Sequence, residues 1–327
     1  MRTQVLDLSQ RGLKQVPPIP DHVTELSLAG NRLTDLPCDL PRGLQILDIS
    51  DNRLAKITPG LPRGLTTLYA SRNAIRHIDL LPRRLAALDI SANRLITLPE
   101  SWPSSLRHLD ASSNLLDECP ASLPDSLSSL DLSHNLISRL PDRLPSNLRK
   151  LRADRNECLV SLPPSLPGGL ERMSVCDCML TGLPPALPDS LVSLYVSNNA
   201  LTRLPSLPPA LRILDASCNR IDVVELNGLQ QLRTLCLSDN ALMTPPSFLA
   251  AARRATWMNL GMRSGCHGGR DVDLTKNPFV NRLTAIELDA LLGRQAPWDT
   301  LFVHLDGAGI KRRLDRVRNS PRYWASV

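Results

Sequence analysis

Asparagine returns along this chain at nearly fixed intervals: Asn31, Asn52, Asn73, Asn93, Asn114, Asn135 and Asn156, then Asn199, Asn219 and Asn240. The steps are 20 or 21 residues except for one gap of 43, in which Cys178 stands where an asparagine is due; Arg11 holds the same place in the first copy. A strict period of this length restricts the fold more than any other property of the sequence. Each copy is one short supersecondary unit that cannot bury its apolar side alone, so copies must stack on one another. Around each asparagine the pattern is L-x-x-L-x-L-x-x-N-x-L, as in Leu44, Leu47, Ile49, Asn52 and Leu54. The L-x-L portion alternates with period two, which predicts a short strand with its leucines inward and the x residue outward. One strand per coil predicts a parallel ladder. The asparagine amide is expected to turn the chain after the strand and to pair buried backbone groups of its own and neighbouring coils. Cys178 is a weaker partner, so its coil is expected to be looser.

This periodicity resembles the leucine-rich-repeat pattern. It implies an α/β leucine-rich-repeat solenoid of horseshoe form, with short parallel strands on the concave face. The 28 prolines are spread through the chain rather than clustered. Proline fixes φ and lacks an N–H. The convex side is therefore expected to be extended or polyproline-like rather than helical. Twelve coils are expected over residues 1–244. An irregular segment and a terminal repeat follow at 245–282, the repeat being Asp271 to Phe279, and a C-terminal helical cap with a basic tail is expected at 283–327. Within these last regions helices are expected at 247–260, 283–291 and 309–319, and a glycine-rich loop at 263–270.

Composition narrows the function. Aromatics make up only 3% of the chain, so aliphatic packing must supply the core. No stretch approaches the ~20 apolar residues of a membrane span. The net charge of +6 is not evenly spread: residues 1–240 hold 25 basic and 25 acidic side chains, whereas Lys311, Arg312, Arg313, Arg316, Arg318 and Arg322 face only Asp315 in the tail. No aromatic platform accompanies these cations, so nucleic acid is not an expected partner; a membrane-surface role for the tail is a third-ranked reading. The eight cysteines show no paired spacing for disulfides or zinc and are expected as free thiols. Cys158 is expected to replace a core leucine as a buried, inert thiol. Six scattered histidines give no metal pattern, and no motif of a metalloprotease, nucleotide-binding loop or serine hydrolase occurs. No cofactor is expected.

The repeat form LPxxLxxLxxSxNxLxxLP resembles that of the bacterial LPX-type leucine-rich-repeat effectors, the YopM and IpaH families, over about 280 residues. The run Val272-Asp273-Leu274-Thr275-Lys276-Asn277-Pro278-Phe279 and the residues after it are similar to the last repeat of the IpaH type. The resemblance implies a secreted protein acting in the host-cell cytoplasm, with repeats that bind a host protein. The IpaH family continues into a large helical ubiquitin-ligase domain with a C-x-D nucleophile. Here 48 residues follow Phe279 and no C-x-D occurs, so ligase activity is not carried over. The amino-terminal sequence also departs from the family, because the repeat begins near residue 4 and no classical signal peptide is recognisable. The alternative is that the chain is a shortened ligase of this type, or its substrate-recognition part, working with ubiquitin machinery.

The candidate binding surface is the column formed by the x inside each L-x-L. It includes Asp48, Tyr69, Asp89, Asp110, Asp131, Arg152, Tyr195 and Asp215. Two readings of this acidic stripe stand side by side: repeat consensus serving solubility and strand spacing, or a groove for a basic protein segment with Tyr69 and Tyr195 as aromatic anchors. The expected working state is a monomer bound to a protein partner.

Overall fold

The computed structural model describes residues 4–57, 60–226, 228–244, 271–273, 277 and 278. The helices expected at 247–260, 283–291 and 309–319, the loop at 263–270 and the basic tail lie outside the described residues. The chain divides into two compact units, Met1–Met179 and Leu180–Val327.

The first unit holds nine three-residue strands: β1 (Val5–Asp7), β2 (Glu25–Ser27), β3 (Ile46–Asp48), β4 (Thr67–Tyr69), β5 (Ala87–Asp89), β6 (His108–Asp110), β7 (Ser129–Asp131), β8 (Lys150–Arg152) and β9 (Arg172–Ser174). Each pairs in parallel with the next, residue on residue, as in Leu47↔Leu68 and Leu88↔Leu109. The second unit holds β10 (Ser193–Tyr195), β11 (Ile213–Asp215), β12 (Thr234–Cys236) and β13 (Asp271–Asp273), again in parallel and in sequence order. This is the leucine-rich-repeat solenoid that the periodicity implies. The strand leucines enter the core: Leu47 and Leu194 are fully buried, and Leu88 and Leu130 are 2% and 1% exposed.

Between strands, residues 4–244 contain no helix where they are described. A local reason is visible ahead of β2 to β11. The carbonyl of a proline accepts the N–H of the leucine three residues on, as in Leu44 to Pro41, Leu106 to Pro103 and Leu148 to Pro145, each at 3.0–3.1 Å. Such a proline-led turn ends the convex segment and delivers the leucine into the core just ahead of the next strand.

The asparagines carry the coil-to-coil joint. Asn156 has no exposed surface. Its Oδ1 accepts the Ile137 N–H of the preceding coil at 3.0 Å, while its Nδ2 donates to Leu132 O of that coil at 3.1 Å and to Ala153 O of its own at 2.9 Å. The same set recurs at Asn93, Asn114 and Asn135. In the second unit, Asn277 accepts the Leu242 N–H and donates to Leu237 O, the two links to the preceding coil that the other asparagines make.

The coil after β8 departs from this set and corrects one expectation. Cys158 is exposed, and Leu159 fills the buried core position. One extra residue sits between Asn156 and the core leucine, N-x-x-L in place of N-x-L, so the thiol is pushed outward at a tight turn closed by Leu159 N–H to Asn156 O at 2.9 Å. That turn gives the Leu159 N–H a partner without a side-chain acceptor from the next coil. Cys178 then needs only to donate, and its Sγ lies 3.4 Å from Ala153 O. Burial pushes its thiol pKa up to about 11.

From the first coil to Asn240, the residue before the asparagine position is left-handed. Gln10, Asp51, Arg72, Ala92, Ser113, His134, Arg155, Asp177, Asn198, Cys218 and Asp239 all have φ between 52° and 57°, and Gly30 takes the place at 67°. None is β-branched, in keeping with the steric cost of a branched Cβ at positive φ.

Two outcomes follow for stability, each read from chemical denaturation. Asn156→Ala strands one buried N–H and two carbonyls and is expected to cost at least about 2 kcal/mol. Ala92→Val is expected to cost about 1–2 kcal/mol, whereas Ala92→Gly stays within about 0.5 kcal/mol, because relief at positive φ offsets the entropy glycine loses.

Candidate functional site

The strands turn their first and third residues to one face, opposite the buried middle residue; on β10 the first, Ser193, is itself buried. In the first unit the third residues run Asp48, Tyr69, Asp89, Asp110, Asp131 and Arg152 on adjacent strands from β3 to β8, directly paired in register. Six of the eight candidate residues are thus brought into one row at the ~4.8 Å strand spacing. Tyr195 and Asp215 are neighbours in the second unit.

The structure gives the aspartates a local role in the backbone, different from the solubility and strand spacing of the consensus reading. Asp48 Oδ1 accepts the Ser50 N–H at 2.9 Å. Asp89 and Asp110 each accept both the N–H and the Oγ–H of the serine two residues on, Ser91 and Ser112. Asp131 accepts the Ser133 N–H, and Asp215 both groups of Ser217. In each case the carboxylate closes the bend that leads to the left-handed residue. These aspartates are half-buried; one oxygen holds the backbone and the face is left with the rest of the charge.

Arg152 breaks the acidic row by bridging it. Its guanidinium lies 3.2 Å from Asp131 and 3.2 Å from Asp154, with the arginine side chain 59% exposed and the acids 17% and 13%. The acids are sunk and the cation stands outward. Burial opposes the arginine's charge, but Asp131, Asp154 and Asp110 outweigh it and hold its pKa up. Asp154 also serves the next coil, where Ser174 stands in the column in place of an aspartate: its Oδ1 accepts the Cys176 N–H at 2.8 Å and the Ser174 hydroxyl at 2.6 Å.

Asp110 sits in the middle of the acid run. Burial raises its pKa most, the Ser112 hydrogen bonds oppose that, and the neighbouring Asp131 and Asp89 raise it further. Tyr69 is 42% exposed on β4, between Asp48 and Asp89.

The first residues of the strands, read as a separate column, add a feature the aspartate pattern hides. His108, Lys150 and Arg172 lie there, exposed, with Arg107 beside His108 and Arg149 paired to Glu171. Cations thus stand at the first position on the two strands β8 and β9, as Lys150 and Arg172, just past the acidic run of the third column; Ser129 holds that position on β7. The sequence signal was present at Lys150 and Arg172, but at His108 and Arg107 it emerges only when the coils are aligned in register. Among the described residues no group of three or more His, Cys, Asp or Glu is placed to hold a metal ion. No helix among them is long and apolar enough to cross a membrane. All seven described cysteines are free thiols, and burial pushes Cys119 up to about 12.

Asp110→Asn tests the electrostatics of the row. The folded chain holds the Asp110 proton to higher pH than the unfolded chain, so its contribution is most favourable below the ordinary carboxylate pKa of 3.8 and is lost as pH rises through the folded value. Asparagine keeps the acceptor for Ser112. The variant is therefore expected to be more stable than the wild type at pH 7, with the gap closing under acid; denaturant midpoints across pH measure it.

Comparison with known proteins agrees with this architecture. Residues 126–151 match the Leucine Rich Repeat family. The structure is similar to YopM from Yersinia enterocolitica WA-314, with 31% identity and a TM-score of 0.55, over 82% of this chain and 67% of that one. It shares its fold with a leucine-rich-repeat protein of Leptospira interrogans, at 22% identity and a TM-score of 0.62, over 84% and 79% of the two chains. It also shares it with the leucine-rich repeats of FLRT2 in an octameric complex with Latrophilin 3 and Unc5D, at 23% identity and a TM-score of 0.65, over 74% and 83%. No curated protein sequence matches significantly. Repeat pattern, stacked parallel strands and bacterial neighbours together make this chain a member of the leucine-rich-repeat proteins, of the bacterial kind.

Proposed function

We propose that the chain is a non-enzymatic protein-binding module, a secreted bacterial effector of the LPX type that grips a host protein through the outward face of its strands. The observation that carries this is the face itself. Nine parallel strands in the first unit present registered rows of side chains, an acidic run that gives way to Lys150, Arg152 and Arg172, with Tyr69 exposed among the aspartates. Each coil contributes a few contacts, so recognition is spread over many coils. Acidic and basic stretches along one face favour orientation and partner choice more than raw affinity. Tyrosine supplies the kind of rigid, amphipathic contact that dominates interface energetics. The similarity to YopM at 31% identity supports the effector assignment and, with it, action inside a host cell.

The aspartates cap bends, so charge reversal would disturb the backbone as well as the surface. Asp89→Asn, Asp110→Asn and Asp131→Asn together remove charge and keep the acceptors. Capture from host lysate is run with the native chain, with this triple variant, with Tyr69→Ala, and with Arg143→Glu away from the strand face. A partner retained by the native and Arg143→Glu chains is expected to bind the triple variant or Tyr69→Ala more than about tenfold more weakly when purified. Equal affinity for all four chains would remove the strand face as the site. A ubiquitin-discharge assay on the chain is expected to be negative; discharge would favour the ligase reading instead.

A further inference from the structure

A second charged feature lies off the strand face, at the edge where each coil turns after its asparagine. Arg32 follows Asn31 and Arg53 follows Asn52, so the two arginines occupy the same place in consecutive coils. Lys14 lies one coil earlier, three residues after Arg11. All three are exposed, and they line one cleft of about 1020 Å³ together with Thr34, Asp35 and the Leu36–Pro37 wall. No ion pair joins any of the three cations, or Asp35, to another described residue; the pairs made by Arg139, Arg149, Arg152 and Arg155 lie elsewhere. Like charges stacked at the ~4.8 Å coil spacing destabilise one another unless something neutralises them. Three cations and one carboxylate leave the cleft at +2, the charge that a phosphate monoester matches. Arginine forks bind phosphate oxygens in pairs, and the Thr34 hydroxyl adds a neutral donor.

We propose that this cleft is a binding site for a small phosphate-bearing anion, either a free organic polyphosphate or the phosphorylated headgroup of a lipid. It is separate from the strand face and does not depend on the protein partner proposed there. Arg32 and Arg53 hold the phosphate oxygens, Lys14 supplies the third positive charge from the coil before, and Asp35 limits the affinity by opposing the ligand's charge.

The full 327-residue chain is titrated calorimetrically with inositol hexakisphosphate and with pyrophosphate at about 150 mM salt, where exposed charges more than about 8 Å apart are screened. A hexaglutamate peptide serves as an anion without phosphate. Binding of the phosphorylated probes is expected to fall more than about tenfold in Arg32→Glu/Arg53→Glu and in the milder Arg32→Gln/Arg53→Gln. It is expected to rise about threefold in Asp35→Asn, and to change less than about twofold in Arg139→Glu, which alters net charge elsewhere. Vesicles of phosphatidylcholine with and without phosphatidylinositol bisphosphate identify the source: co-sedimentation dependent on Arg32 and Arg53 assigns a lipid headgroup, and binding of the soluble probes alone assigns a free polyphosphate. No binding of any phosphorylated probe, equal binding of hexaglutamate, or an equal loss in Arg139→Glu would overturn the proposal. Melting curves of each variant confirm that the coils remain folded.

Discussion

The buried asparagine amide is the interaction on which the rest of this structure depends. A solenoid coil must reverse direction with its backbone already inside, and each reversal leaves donors and acceptors away from water. One primary amide answers both needs, because it accepts through Oδ1 and donates through two N–H groups. Asn156 reaches back to Ile137 and Leu132 and across to Ala153. The amide therefore does two jobs at once: it closes its own coil and fastens that coil to the one before. Leucine burial supplies most of the driving force, but hydrophobic attraction has no direction. The amide fixes the register in which the leucines meet.

That fixed register has consequences on the surface. Once every coil sits in step, each outward position becomes a column about one strand spacing apart, and whatever residue type the repeat favours is multiplied. Aspartate at the end of the strand is favoured because its carboxylate closes the next bend, through Ser91 and Ser112 for Asp89 and Asp110. The same local economy builds a run of three acids, and burial, with a smaller push from Asp131 and Asp89, raises the Asp110 pKa. Arg152 is placed where the run meets a coil without its own capping aspartate, and it joins Asp131 to Asp154. The acidity of the face is thus first a by-product of turn chemistry, and Tyr69 and Arg152 are where the column departs from it.

The coil between Asn156 and Cys178 shows how such a repeat tolerates irregularity. An inserted residue and the loss of the next asparagine occur together. The insertion lets the Leu159 N–H turn back on Asn156 O, which removes the need for the missing acceptor. Cysteine then suffices, since only a donor remains to be satisfied. Alignment by residue type alone assigns Cys158 to the core because it falls where a leucine usually stands. Packing assigns Leu159 instead, because apolar burial and backbone pairing both improve when the chain slips by one.

Coil length, parallel strands, inward leucines and asparagine joints are all legible in residue order, because each is a local preference repeated many times and the copies reinforce one another. Residue order also placed Asp48, Tyr69, Asp89, Asp110, Asp131 and Arg152 in one column, since strand alternation needs no tertiary information. What the aspartates do, which residue fills the core after Asn156, and which cations share a space were decided only by the tertiary structure. Lys14, Arg32 and Arg53 are far apart along the chain and ordinary one at a time. Only stacking the coils in step places them around one cleft, because proximity between residues 18 to 21 positions apart is a property of the joint between coils and not of either coil alone.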